Sequence, residues 1–211
     1  MRPFALIIAV LVLAGTHFVA AATVGVREYS VFVPARNATL HAFVWYPAEL
    51  SGKPVLVGNN GVFRGTPALE NASAINGRFP LVLIAHGGFR AAPNTASWLA
   101  SALALRGFIA TVVNPPQIPA GPARQSVLSE LWLRPADLSA TITALEGDSA
   151  FAGRIDTKRV GGVGFFLGGY AVLALTGARI DPAAYAHSCE GREAGLDCTW
   201  FAQGGGGLAS C

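Results

Sequence analysis

The stretch Val160-Gly-Gly-Val-Gly-Phe-Phe-Leu-Gly-Gly-Tyr170 holds the residues whose spacing bears most directly on chemistry. An apolar strand runs into a corner framed by Gly164 and Gly168, then straight out into a helix, with Gly169 placed for close helix packing. This is the context in which a G-x-S-x-G corner lifts a nucleophilic serine clear of a sheet. Such a serine needs a histidine to take its proton and an acid to orient that histidine. It also needs two backbone N–H groups for the oxyanion, each contributing about 3–4 kcal/mol. The serine's position is occupied by Phe166. The next residue, Leu167, offers one N–H, and the loop His86-Gly87-Gly88 offers the other through Gly88.

A bulky residue held in that corner costs about 1–3 kcal/mol, which catalysis cannot recover when the residue is Phe. Two readings of Phe166 follow: the corner has relaxed, or Phe166 is an apolar core residue between strand and helix. Candidates for a substitute base or acid are few. His41, His86 and His187 read as structural, on a strand, in the oxyanion loop and beside a cysteine, respectively. Asp181 and Asp197 follow the corner closely and read as turn formers. Ser188 and Ser210 have no glycine-framed corner around them.

The elements that must position these residues are legible by period. Residues 24–33 and 39–46 alternate apolar with polar and predict an antiparallel hairpin. Residues 51–79, rich in Gly, Pro, Asn and Ser, read as a long surface connection. From residue 80 the order becomes βαβα: a continuous apolar strand over 81–85, a helix, a strand over 108–113, a Pro-rich excursion over 115–134, a second helix, a strand over 159–163 and a third helix over 167–178. For the first helix the spacing predicts Asn94 or Thr95 as cap, a buried stripe of Trp98, Leu99, Ala102 and Leu105, and a stop at Gly107. Pro135 opens the second, with Asp137 at its positive end and Leu138, Ile142 and Leu145 at helical spacing, and 154–158 reads as a turn. Alternating strands and helices predict an α/β fold with a mostly parallel sheet covered on both faces.

Composition agrees with one such domain. The 211 residues are 52% hydrophobic and 13% charged, enough for a sizeable core. A formal net charge of +3 provides no basic field for nucleic acid. Residues 1–22 combine Arg2, an apolar run from Phe4 to Leu13, and Ala20 and Ala22 at A-x-A spacing, the pattern of a cleaved export signal. An uncleaved anchor is the competing reading, against which the short apolar run argues. Export to the periplasm or medium, with no stable membrane insertion after cleavage, makes disulfides permissible. Cys189 and Cys198 close a small loop through Gly191 and Gly195 and read as a disulfide; no set of four zinc ligands can be assembled around them, so no metal is expected. Cys211 is left over at the end of the chain.

The segments Pro80-Leu-Val-Leu-Ile-Ala-His-Gly-Gly88, Leu131-Trp-Leu-Arg-Pro-Ala-Asp137 and Arg159 to Tyr170 share their order and spacing with a known superfamily. Over roughly residues 24–205 the chain resembles the α/β-hydrolases, and more narrowly the secreted dienelactone hydrolase-like and platelet-activating-factor acetylhydrolase-like esterases. The resemblance implies a domain over residues 23–211 that is incomplete at its C-terminus, because the family's acid and histidine lie on later strands. It implies a small-molecule ester or lactone as substrate and no cofactor, and fixes no oligomeric state. With Phe166 at the nucleophile position, it implies a chain without turnover. The alternative is an exported, non-catalytic binding module whose acyl pocket is lined by Gly87, Gly88, Phe89, Trp98 and Phe166.

Overall fold

The computed structural model describes residues 23–87, 94–114, 131–181, 183–184 and 187–188. The leader, Gly88, Phe89, most of the Pro-rich excursion, Asp197, Ser210 and the three cysteines lie outside the described residues.

The hairpin forms as expected. Strands β1 (Thr23–Val33) and β2 (Ala38–Ala48) pair antiparallel without a slip, from Thr23 opposite Ala48 to Val33 opposite Ala38. The turn between them is one 3-10 turn over Pro34–Arg36, closed by Asn37 in the left-handed conformation that asparagine tolerates. Alternation sends Val31, Val33, Leu40, Ala42 and Val44 into the core.

Residues 51–79 depart from expectation. They contain two strands, β3 (Lys53–Val57) and β4 (Thr66–Glu70), antiparallel to each other, with β4 parallel to β1. Both are short and carry prolines: Pro54 lies on β3, the edge strand, and Pro67 lies on β4 ahead of the two residues, Leu69 and Glu70, that pair with β1. The expected βαβα series then follows: β5 (Phe79–Ala85), α1 (Ser97–Ala104), β6 (Ile109–Val113), α2 (Arg134–Gly147), β7 (Ile155–Gly164) and α3 (Leu167–Leu175). The seven strands lie in the order β3-β4-β1-β2-β6-β5-β7, and β6, β5 and β7, which position the glycine corner, are mutually parallel. Helices cover both faces. Val31, Leu83, Leu138, Leu145, Phe151 and Ala171 pack with α2 and α3 on one, and Val26, Trp45, Ile84, Ala100, Ala104 and Val112 with α1 on the other.

Two local expectations need correcting. Helix α1 buries Ser97, Ala100, Ser101 and Ala104, whereas Trp98 and Leu105 stand 63% and 50% exposed. Small side chains let the helix sit close on β6; of the expected stripe, Leu99 packs partly against the core while Trp98 and Leu105 turn outward. Its cap position is Ala96, with no side-chain cap; Asn94 instead accepts the Ser97 N–H through its carbonyl (3.0 Å), while Gly107 ends the turn at φ 82 as expected. The turn expected at 154–158 is a bulge inside β7. Pairing with β5 jumps from Pro80–Asp156 to Leu81–Val160, and the extra residues are tied by Asp156, which accepts from Lys158 N–H (3.1 Å) and Arg159 Nε (2.6 Å).

One ion pair joins the hairpin turn to the second half of the chain. Arg36 Nε and Nη2 donate to the two Asp137 carboxylate oxygens at 2.6 and 2.9 Å, with both side chains only 4% exposed. Asp137 also lies in the first turn of α2, where the helix dipole favours a negative charge. Removing one partner of such a pair strands the other charge in a dry interior. Asp137→Asn is expected to lower the unfolding free energy by about 3–5 kcal/mol, read as a lower urea midpoint at an unchanged m-value. Breaking the exposed Asp156–Arg159 pair is expected to move the midpoint far less.

Candidate active site

The corner between β7 and α3 is built from backbone. Phe165 N–H donates to the Ala85 carbonyl at the end of β5 (3.1 Å), and Gly168 and Gly169 donate back to Phe165 and Phe166 (2.9 and 2.8 Å). Phe166 itself sits at φ 52, ψ −119, and its side chain is 92% exposed. Both expectations for this residue are therefore corrected: the corner has not relaxed, and Phe166 is not core. It stands at the tip, where a nucleophile would be presented, in a conformation that costs a non-glycine residue about 1–3 kcal/mol.

The glycines explain why the corner cannot relax. A Cβ on Gly164 would collide with the Gly168 carbonyl, one on Gly168 with the Ala85 carbonyl, and one on Gly87 with the Phe165 carbonyl and the Phe166 Cβ. Gly169 was expected to allow the close packing, but a Cβ there would meet its nearest atom, the Gly164 oxygen, at an ordinary 3.6 Å. Gly168 has that role. Gly162 adds to it, since a Cβ there would lie 2.7 Å from the Val172 side chain on α3.

Leu167 is the first residue of α3, so its N–H is among those a helix leaves without an intrahelical acceptor, and it lies at the positive end of the dipole. That suits it as an oxyanion donor. The loop bearing the second expected donor begins within the described residues: His86 is half-buried, and Gly87 is buried against the corner. Sequence reasoning did not single out what fixes this loop, which is Arg134. The side chain of Arg134 is buried at the start of α2, and its Nη1 donates to the His86 carbonyl at 2.8 Å. Burial lowers the Arg134 pKa, a trend that nearby Asp137 opposes and Arg36 reinforces. Burial, and then the charge of Arg134, also lower the pKa of His86, which keeps its imidazole neutral near pH 7. Between these residues lies a void of about 20 Å³, lined in part by His86, Arg134, Asp137 and Ala171 and large enough for one water.

Of the other candidates that are described, His41, Asp181 and Ser188 make their contacts away from the corner. His41 stands on β2, three strand positions from β7, exposed and paired through Nδ1 with Glu28 Oε1 at 3.2 Å. Asp181 is a turn former as expected, accepting the N–H groups of Ala183 and Ala184 (2.9 and 3.1 Å). Ser188 donates to the Ala184 carbonyl (2.9 Å), and His187 is exposed. Asn114 was also missed: it is buried at the end of β6, its side-chain amide has no hydrogen-bond partner among the described residues, and its N–H donates to the His41 carbonyl (3.2 Å). A lone Asn before two prolines carries no signal in the sequence.

No family model matches the sequence, and no curated protein matches it significantly. Among solved structures, a ferulic acid esterase from Streptomyces cinnamoneus aligns with a TM-score of 0.57 at 21% identity, over 75% of this chain and 56% of that one. A cold-adapted esterase from an Arctic intertidal metagenomic library aligns at 0.48 with 20% identity, over 73% of this chain and 56% of that one. A dienelactone hydrolase-like promiscuous phosphotriesterase from metagenomic libraries aligns at 0.48 with 16% identity, over 72% and 54%. The chain thus spans little more than half the length of these proteins, and what the first likeness establishes is a shared fold.

The strain at position 166 has a measurable consequence. Glycine adopts φ 52, ψ −119 freely, and a side chain 92% exposed gives up little burial when removed. Relief of about 1–3 kcal/mol, less about 0.5–1 kcal/mol for the added freedom of glycine in the unfolded chain, leaves a gain. Phe166→Gly is expected to stabilise the protein by about 1 kcal/mol in urea unfolding; unchanged or lower stability would show that the corner stores no strain.

Proposed function

We propose that this chain, an α/β-hydrolase by fold, derives from exported esterases or lactonases of the dienelactone hydrolase-like kind and has lost the serine route of turnover at Phe166. The fold expected from the sequence is the fold observed. The observation that carries the proposal is the conformation of Phe166: a phenyl ring occupies an intact nucleophile corner, φ 52 and exposed, where chemistry requires a hydroxyl. A serine there would attack the carbonyl carbon of an ester or lactone, and the oxygen gaining charge would accept from the N–H groups of Leu167 and Gly88. Phe has neither a lone pair to attack with nor a proton to give. Of the expected donors, Leu167 stands at the start of α3 with its N–H free of an intrahelical acceptor, while position 166 carries no nucleophile.

The substrate class, a small ester or lactone, rests on the fold and on the sequence motifs. Export of a domain over residues 23–211 rests on the leader pattern of residues 1–22 and on the cysteine pair Cys189 and Cys198. Among the described residues no helix is long and apolar enough to cross a membrane. The exposed ring of Phe166 at the corner favours a second reading in which the surface around it binds an apolar group without converting it.

The test uses the purified 211-residue chain and p-nitrophenyl acetate. Hydrolysis is expected at the buffer rate, with no covalent adduct by mass spectrometry after treatment with a serine-directed phosphonate. Phe166→Ser is expected to stay at that rate too, because Glu28 holds His41 on β2 and His86 belongs to the oxyanion loop. Phosphonate-sensitive turnover by the parent chain would overturn the proposal. Saturable quenching of tryptophan fluorescence by an unreactive acyl amide, without turnover, would favour the binding reading.

A further inference from the structure

At the end of the sheet opposite the corner, a cavity of about 240 Å³ opens beside β1, β2 and the loop that joins α2 to β7. Arg27 of β1 and Arg154, just before β7, both line it. The Nε of each is buried and has no hydrogen-bond partner among the described residues. Neither guanidinium is among the ion pairs that the described residues form. The walls position the Arg27 group, which also neighbours the Tyr46 hydroxyl. The Arg27 guanidinium lies 5.9 Å from the Phe151 ring centroid, and Phe151 is fixed edge-on to Tyr46 at 5.2 Å. The Tyr46 hydroxyl in turn donates to the Ala72 carbonyl (2.8 Å). Ser73 and Ser149 also line the cavity.

Two cations facing one cavity repel each other, and each guanidinium keeps a buried Nε–H without an acceptor among the described residues. A single oxyanion eases that repulsion: its oxygens accept from the guanidinium edges that line the cavity, and its charge offsets theirs. The volume leaves room for a short apolar body against the Phe151 ring. We propose that this cavity is a binding site for a small oxyanion, the carboxylate or phosphate group of a small molecule, held between Arg27 and Arg154. It is separate from the corner at Phe166, and the proposal stands whether or not the corner is catalytic.

Thermal unfolding of the whole chain, titrated with inorganic phosphate or with acetate at an ionic strength held constant with chloride, tests it. A saturable rise in Tm is expected with at least one anion, as binding to the folded state requires, and which anion saturates at lower concentration identifies the group. Arg27→Gln and Arg154→Gln are each expected to raise the half-saturating concentration at least tenfold, whereas Arg106→Gln, on the surface of α1's end, leaves it unchanged. The parent chain supplies a readout independent of those variants: the effective anion should slow phenylglyoxal modification of Arg27 and Arg154, followed by peptide mass spectrometry, relative to Arg106. Tm values that follow ionic strength alone, or modification of both arginines unaffected by either anion, would overturn the proposal.

Discussion

The contact on which the site depends is between backbones. Strand β5 ends at Ala85, and the first turn of α3 approaches so closely that its carbonyl leaves no space for a side chain at Gly168. Phe165 N–H is spent on that same carbonyl. With the chain pinned on both sides of the corner, residue 166 has little choice of conformation, and glycine at 164 is required because the turn folds back onto it. Phe166 therefore keeps a positive φ that its own chemistry opposes. The conformation belongs to the packing of β5, β7 and α3, and the identity of residue 166 is subordinate to it.

A chain of buried charge fixes the other side of the site. Arg36, at the turn of the hairpin, grips Asp137; three residues before Asp137, Arg134 reaches the His86 carbonyl. The hairpin turn, the start of α2 and the loop after β5 are thus tied into one buried polar network. Such a network specifies geometry more than it adds stability, since well-packed apolar groups could fill the same volume at little cost. Its effect is to hold His86 and Gly87 against the corner from behind.

Much of this was legible in the sequence, and the failures have physical causes. Period two gave β1 and β2, continuous apolar runs gave β5 and β6, and the glycine spacing of 160–170 gave the corner because only glycine fits there. Strands β3 and β4 were hidden by Pro54 and Pro67 and by weak alternation; β3 is the sheet edge, and β4 pairs with β1 over two residues only. The buried face of α1 was misassigned because large apolar residues were taken as the inward ones, whereas close approach to the sheet selected Ser97, Ala100, Ser101 and Ala104. The Arg36–Asp137 pair spans 101 positions of sequence, and no local pattern announces a contact of that range. Position 166 reads as Phe in the sequence, but whether the corner survives with Phe in it cannot be read there.

That survival is open to direct observation by NMR. A positive φ brings an amide proton close to its own Hα, so the intraresidue NOE between them becomes strong. Asn37 and Asn71, at φ 50 and 55, provide an internal standard for the φ 52 of Phe166. The account predicts a Phe166 amide-to-Hα cross-peak as intense as those of the two asparagines. A weak cross-peak, like those of residues in the flanking strand, would mean that the corner has relaxed and that the retained nucleophile geometry does not exist.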